Sequence, residues 1–327
     1  MTTPFFSIII LYWQNAQYLP ACLRALRAQT CQDFEVILVD NASPEPFDPS
    51  LLDLFSHLNI RLLRSDVNLG FTGGNNLAAR SARGEYLVLL NADAFPEPEW
   101  LARIQAAIPE HPDTFFASRM IMANDPLRLD GEWNVYHASG LVWRKSHGKP
   151  LSTATATEKY VLSACAAAGV YPKQAFKSVH GFDEDFFAYM EDVDMDFRMQ
   201  LQGYRCLYLP NAVVRHVGSA STSTRSALVV FHGHRNLVWT YFKDMPGLLF
   251  WLLLPCHILV NLFYLVAGLF MPTRKEMASA KWEALKGLPK VIKKRKEIQA
   301  NRKVSTWQIA RLLDWNPLSP LIKLTYR

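Results

Sequence analysis

Four short apolar runs near the start of the chain restrict its fold more than any other feature. Residues 6–11 (FSIIIL), 36–40 (VILVD), 60–63 and 86–90 (YLVLL) are rich in Ile, Val and Leu, short, and bounded by polar turns. They read as buried strands. Residues 16–29, 49–57 and 72–82 lie between them and read as helices. This alternation predicts an α/β fold with a parallel sheet covered by helices on both faces. Ligands of such sheets sit beyond the carboxyl ends of the strands, so the polar residues after each strand are the first candidates for a site.

Three segments occupy that position. Asp40-Asn41-Ala42-Ser43 follows the second strand, the stretch from Asn68 to Asn76 (NLGFTGGNN) follows the third, and Asn91-Ala92-Asp93 follows the fourth. Each alone is ordinary turn chemistry; three on one sheet edge point to a site. Gly70, Gly73 and Gly74 give G-x-x-G-G. That is neither the dinucleotide fingerprint nor a P-loop, and no Gly-Lys-Ser/Thr occurs, so dinucleotide binding is not expected.

Further along, GFDEDFFAYMEDVDMDFRMQ runs from Gly181. A helix over residues 191–202, ended by Gly203, holds Glu191 and Asp192 in its first turn, where carboxylates complement the helix dipole. The dipole also favours the ionised carboxylate that a general base needs. Asp196 falls one turn below Asp192, and Asp194 points elsewhere. Two strands, residues 206–209 and 212–215, then deliver His216.

Half of the 327 residues are apolar and 20% are charged, which excludes global disorder. Length favours about two units at roughly 150 residues per domain. The five cysteines are scattered, with no C-x-x-C pair, as in a reducing compartment. Residues 5–13 are too short and too poor in preceding basic residues for a signal peptide. Residues 245–273 contain no Asp, Glu, Lys or Arg, whereas residues 274–303 carry eleven Lys/Arg against three Asp/Glu. The body lacks a nucleic-acid motif, and the apolar neighbour of the basic run argues against such a partner.

SIIILYWQ at Ser7, VDNAS at Val39, NLGFTGGNN at Asn68, LLNAD at Leu89 and the block from Gly181 through HVGSAS together resemble the family 2 glycosyltransferases. These are inverting enzymes of the GT-A fold, and the likeness is greatest to the bacterial rhamnosyltransferase-like branch. It covers about residues 5–225, with the motifs in family order. The resemblance implies a mixed, mostly parallel central sheet. It implies that Asp40 accepts the imide N–H of the donor's base, with Asn41, Asn68 and Asn91 nearby, and that Gly73, Gly74 and Asn75 let backbone approach the nucleotide. Asp93 and His216 would hold Mg²⁺ or Mn²⁺ against the diphosphate, Asn91 replacing the first Asp of the family's D-x-D motif. Asp192 would deprotonate the acceptor hydroxyl. dTDP-L-rhamnose is the first donor implied, with UDP- or GDP-hexoses, or an inactive nucleotide-sugar-binding scaffold, as alternatives.

His180 in place of a second Gly, and Tyr12-Trp13-Gln14 in place of a polar turn, depart from the family pattern. His232, His234 and Arg235 are expected to form a cationic lip for donor or lipid phosphates, and Glu191 is a further candidate contact. The organisation expected is a catalytic domain over 1–225, a connector over 226–244, an apolar membrane-associated segment over 245–273 and a basic amphipathic tail over 274–327. Residues 245–273 are long enough to cross a bilayer, but a single span would separate the catalytic body from the basic tail, both of which favour the cytoplasmic side. A re-entrant or interfacial hairpin bent near Pro255 keeps them together, with Lys290–Lys296 against anionic headgroups. This suits a lipid-linked glycan or lipopolysaccharide acceptor at the cytoplasmic face of the inner membrane.

Overall fold

The computed structural model describes residues 3–14, 16–45, 47–218 and 226–320. Ser219, Ala220 and Ser221, which end the last matched motif, lie outside the described residues, as does the expected domain boundary at 225. The chain begins β1 (Phe6–Tyr12), α1 (Leu19–Arg27), β2 (Phe34–Asn41), a 3₁₀ helix (Pro49–Phe55), β3 (Ile60–Ser65), α2 (Gly70–Ser81) and β4 (Tyr86–Leu90). It continues with β5 (Ala94–Pro96), α3 (Trp100–Ala107), β6 (Thr114–Met122), β7 (Leu129–Gly131), β8 (Asn134–Tyr136), β9 (Val142–Arg144), β10 (Lys159–Val161), β11 (Ala168–Pro172) and α4 (Lys173–Ser178). The remainder is α5 (Glu191–Leu201), β12 (Arg205–His216), α6 (Ala227–Asp244), α7 (Gly247–Gly268), α8 (Arg274–Ala300) and α9 (Thr306–Ala310).

The main sheet runs β10-β12-β6-β11-β4-β1-β2-β3, and β8 pairs with β9 in a separate hairpin. Strands β4, β1, β2 and β3 are mutually parallel, and so are β6 and β12. β11 lies antiparallel between β4 and β6, so the sheet is mixed and mostly parallel, as expected. β1 and β2 are mostly apolar because both of their faces are covered. Ile8, Ile10, Val36 and Leu38 pack in one core with α1, while Ile9, Ile37 and Val39 pack in a second with Ala78 of α2 and Met195 of α5.

Chain order reverses at β1, with β2 on one side and β4 on the other. That switch point places the ends of β2 and β4 around one crevice. Where two strands were expected near the end of the body, β12 is one long strand with a register shift between Leu209 and Val213, and His216 is its last residue.

The C-terminal region differs most from expectation. Residues 226–244, expected as a connector, form α6, which packs against α5 and α8. Residues 245–273 do not form a hairpin bent at Pro255; α7 is one continuous helix with Pro255 inside it. Its polar residues explain the continuity, because they anchor one face to the body. His257 Nδ1 lies 2.9 Å from the Ser139 carbonyl, and its ring stacks on Tyr241 at 4.0 Å. Asn261 Nδ2 reaches His257, and Lys281 Nζ of α8 donates to Asn261 Oδ1.

Candidate active site

The ends of β2 and α2 are tied together first. Asn41 Oδ1 accepts from the Leu69 N–H at 2.9 Å, and its Nδ2 donates to Asn68 Oδ1 and the Gly70 carbonyl. Asn68 Oδ1 also accepts from the Gly70 N–H. Both asparagines are therefore occupied in shaping the turn. Asp40 Oδ1 caps the Ser43 N–H at 3.1 Å, and its carboxyl is buried at the strand end. Gly73 and Gly74 lie buried within α2; a Cβ on Gly74 would come 2.3 Å from Leu11 Cδ1. Gly74 thus brings α2 against β1. Asn75 Nδ2 donates to the Phe71 carbonyl.

The NLGF and GFDE blocks meet directly. Gly70 has φ +68°, and a Cβ there would lie 2.4 Å from the Phe187 carbonyl oxygen. Thr72 N–H donates to that same carbonyl, and the Asn76 side chain exchanges hydrogen bonds with the Phe182 backbone. Left-handed backbone at Phe187, Tyr189 and Met190 turns the chain sharply into α5. α5 then presents Asp192 in its first turn.

Asp192 is the partly exposed member of that acidic group, while Glu191, Asp194 and Asp196 are buried. Its Oδ2 accepts from Asn134 Nδ2 at 3.1 Å and the Ala166 N–H at 3.3 Å, and Oδ1 accepts from the Val193 N–H. Burial raises its pKa; these three donors and the Arg144 guanidinium act against that rise. These donors and Arg144 thus add to the helix dipole in favouring its ionised form. Burial, and Asp192 beside it, raise the Glu191 pKa well above the usual carboxylate range. Asp194 pairs with Arg198 and Lys243, and Asp196 Oδ2 accepts from the Ala164 N–H.

On the opposite rim, β4 and β12 bring Asp93 and His216 together. His216 Nε2 lies 3.4 Å from Asp93 Oδ1 and 3.3 Å from Asn91 Nδ2. Its Nδ1 lies 2.8 Å from Asp130 Oδ2, which fixes the ring. Burial opposes charge on His216, but Asp130 and Asp93 outweigh it and raise its pKa to about 9. Among the described residues no group of three or more His, Cys, Asp or Glu is arranged as a complete metal cage. One carboxylate, one imidazole nitrogen and one carboxamide nevertheless form a donor set suited to Mn²⁺ or Mg²⁺ whose shell the donor's phosphates complete. The hydrogen bond from the far ring nitrogen to Asp130 is the arrangement that orients a metal-binding histidine.

Asp130, Arg144 and Asn134 had no signal in the sequence. Arg144 joins the two rims: Nη1 lies 2.5 Å from Asp130 Oδ2, Nη2 lies 3.2 Å from Cys165 Sγ, and its charge acts on Asp192. They come from β7, β9 and β8, short strands whose sequence has no turn or motif signature.

Residues 7–163 match the family described as glycosyl transferase family 2, and residues 86–274 match glycosyl transferase family group 2. The chain belongs to glycosyltransferase family 2. This family 2 glycosyltransferase is 31% identical to the O-antigen biosynthesis protein RfbC of Myxococcus xanthus, over 67% of its own chain and 18% of that protein. It is 36% identical to a PGL/p-HBAD biosynthesis glycosyltransferase of Mycobacterium tuberculosis, over 41% of its chain and 54% of the relative. It thus spans only about a fifth to a half of these relatives.

Among solved structures, GalNAc-T7 with UDP, GalNAc and Mn²⁺ matches with a TM-score of 0.67 at 14% identity, over 95% of this chain and 57% of that one. Staphylococcus aureus TarS 1-349 with UDP-GlcNAc matches at 0.58 and 18% identity, over 90% and 87%. The mannosyltransferase PcManGT of Pyrobaculum calidifontis, with GDP-Man and Mn²⁺, matches at 0.54 and 18% identity, over 92% and 86%. The fold of the transferase is GT-A.

The expected cationic lip is not formed in this transferase. Arg235 Nη2 donates to the Asp185 and Phe186 carbonyls, and its guanidinium stacks 4.3 Å from the Trp239 ring, clamping the turn before α5. Burial and the adjacent Arg235 lower the His232 pKa to about 4, leaving it neutral, and its ring stacks on Phe187. The His234 ring lies 5.2 Å from that of Tyr264. The basic run is also partly consumed internally. Lys290 and Lys294 pair with Asp185, and Lys294 and buried Lys243 pair with Asp183. Lys293 and Lys296 remain exposed.

Proposed function

We propose that the chain transfers a sugar from a nucleoside-diphosphate donor to a lipid-linked or surface polysaccharide acceptor, by a single displacement with inversion at the anomeric carbon. The observation that carries this reading is the arrangement across the crevice: the partly exposed Asp192 carboxylate on one rim, the Asp93–His216 pair on the other, and Arg144 joining them through Asp130. Asp192 takes the proton of the attacking hydroxyl. Asn134 and the Ala166 and Val193 N–H groups orient its carboxylate and oppose protonation. Asp93, His216 and Asn91 would hold a divalent cation beside the donor diphosphate. That cation supplies charge stabilisation for the departing nucleoside diphosphate. Asp40, at the end of β2, would accept the imide N–H of the base.

α7 supports a membrane-associated reading. It is apolar enough and long enough to cross a bilayer, and only 17% of its most apolar window is buried. Leu248, Trp251, Leu252, Leu259, Leu262 and Phe263 are all exposed. Its polar anchors keep it on the body, so it would lie on the cytoplasmic face of the membrane with Lys293 and Lys296 towards headgroups. dTDP-L-rhamnose heads the donors to test, followed by UDP- and GDP-hexoses. Nucleoside diphosphate release by the detergent-purified protein across that panel tests the reading. Release with one donor, dependent on Mn²⁺ or Mg²⁺, is expected. Donor binding without release would leave an inactive scaffold, and absence of both would contradict the glycosyltransferase reading.

A further inference from the structure

The β8–β9 hairpin has two faces, and only one belongs to the active site. Its register pairs Asn134 with Arg144 and Val135 with Trp143, and the Lys145 N–H extends the ladder to the Trp133 carbonyl. Side chains alternate across a strand. Asn134 and Arg144 therefore face Asp192 and Asp130, while Trp133, Trp143 and Lys145 face the other way. On that far face lies a cleft of about 470 Å³. Its opposite wall is the segment after α9, docked through Asp314 N–H to the Tyr136 carbonyl and Ala138 N–H to the Asp314 carbonyl.

The lining is unbalanced in charge. Lys145, Lys149, Lys159 and Arg311 line it against one carboxylate, Asp314, whose Oδ1 already accepts from the Asn316 N–H. Among the described residues none of these four cations has an ion-pair partner, although Lys243, Lys290, Lys294, Arg198 and Arg144 each have one. Lys145 and Lys159 instead both stand 5.8 Å from the Trp133 ring. Four cations gathered in a concave surface repel one another and focus a field that an anion relieves. The wall also links the cleft to the apolar layer. Leu313 lines the cleft and packs in one core with Leu249 and Phe250 of α7, and Trp307 and Trp315 on either side of it are exposed.

We propose that this cleft is a remote acceptor subsite that binds phosphate, specifically the diphosphate joining a glycan to its lipid. This rests on the lipid-linked reading of the acceptor. Asn134, which donates to Asp192, also lines the cleft, so the cleft adjoins the active site through the hairpin, and the group its cations hold is the acceptor's phosphate rather than the reacting hydroxyl or the donor. It fixes the end of the acceptor nearest the membrane while the sugar end reaches the base on the hairpin's other face.

Calorimetric titration of the full chain in detergent tests this, with inorganic pyrophosphate and farnesyl diphosphate as probes and phosphatidylglycerol vesicles as a third arm. Both diphosphates should bind, and each double variant, K145A/K149A and K159A/R311A, should weaken both at least tenfold. The Asp93→Asn variant should leave this binding unchanged, and the lysine variants should keep their circular dichroism and metal-dependent donor hydrolysis. Binding insensitive to the lysines, or lost in Asp93→Asn, would overturn the subsite. Lysine-dependent binding of pyrophosphate without farnesyl diphosphate would overturn the lipid source. Equal loss of vesicle binding in the lysine variants would reduce the cleft to a general membrane contact and also overturn it. Donor hydrolysis in the same samples reports separately on the transferase reading.

Discussion

Asp192 differs from the other carboxylates of α5 by one property, access. Asp194 is spent on Arg198 and Lys243, and Asp196 on the Ala164 N–H, whereas Asp192 reaches the crevice while three donors hold its oxygens. Replacing it by Asn should lower kcat by about 10²–10⁴-fold with donor binding unchanged, the usual range for a lost general base. Arg144 acts on the same group from a distance. Its cation favours the ionised form, so Arg144→Ala should raise the Asp192 pKa further. The acid limb of the pH–rate profile should then move to higher pH; an unmoved limb would separate Arg144 from the base. Asp130→Asn should weaken Mn²⁺ binding by about 10–100-fold, read by titration with Mn²⁺, as for other lost partners of metal-binding histidines. Asp93, Asp192 and His216 stood out as candidates in the sequence because each follows a strand or opens a helix inside a motif. Asp130 and Arg144 could not, because their meeting is made by three short strands with no local pattern. Arg235 misled for a related reason: a cation beside two histidines resembles a phosphate site until the carbonyls of Asp185 and Phe186 are seen to occupy it.

At the level of elements, β1, β2 and β4 were readable because a strand buried on both faces is mostly apolar, and the half-buried edge strand β3 followed from the alternation. The C-terminal helices were harder. A 29-residue uncharged stretch with a central proline is compatible with a hairpin. What anchors the continuous α7 is tertiary: Ser139 and Lys281 hold His257 and Asn261 from outside the helix. The basic tail looked free because the partners of Lys290 and Lys294 lie more than a hundred positions away, in the GFDE block. Lys243 is the centre of that attachment, 1% exposed between Asp183 and Asp194. Lys243→Met removes one of two cations from each of two carboxylates, leaving Asp183 to Lys294 and Asp194 to Arg198, and should cost about 1–3 kcal/mol of stability, read by denaturant unfolding. Exposed positions on α7 answer a different question. Leu259→Asp with Phe263→Asp should abolish co-sedimentation with anionic vesicles yet spare donor hydrolysis. Retained sedimentation would free α7 from the membrane role.

Across the whole molecule, one crevice at the switch point of a GT-A sheet gathers groups from β2, β4, β12 and α5. The C-terminal helices brace the far side of α5 and present an apolar face outward. The central claim is that Asp192 and the Asp93–His216 pair act together on a nucleotide sugar. Nucleoside diphosphate release by purified wild-type protein and Asp192→Asn, across dTDP-rhamnose and UDP-, GDP- and dTDP-hexoses with and without Mn²⁺ or Mg²⁺, tests it most directly. Release with one donor that requires both the cation and Asp192 is the predicted result. Release that persists in Asp192→Asn or without a divalent cation would contradict it.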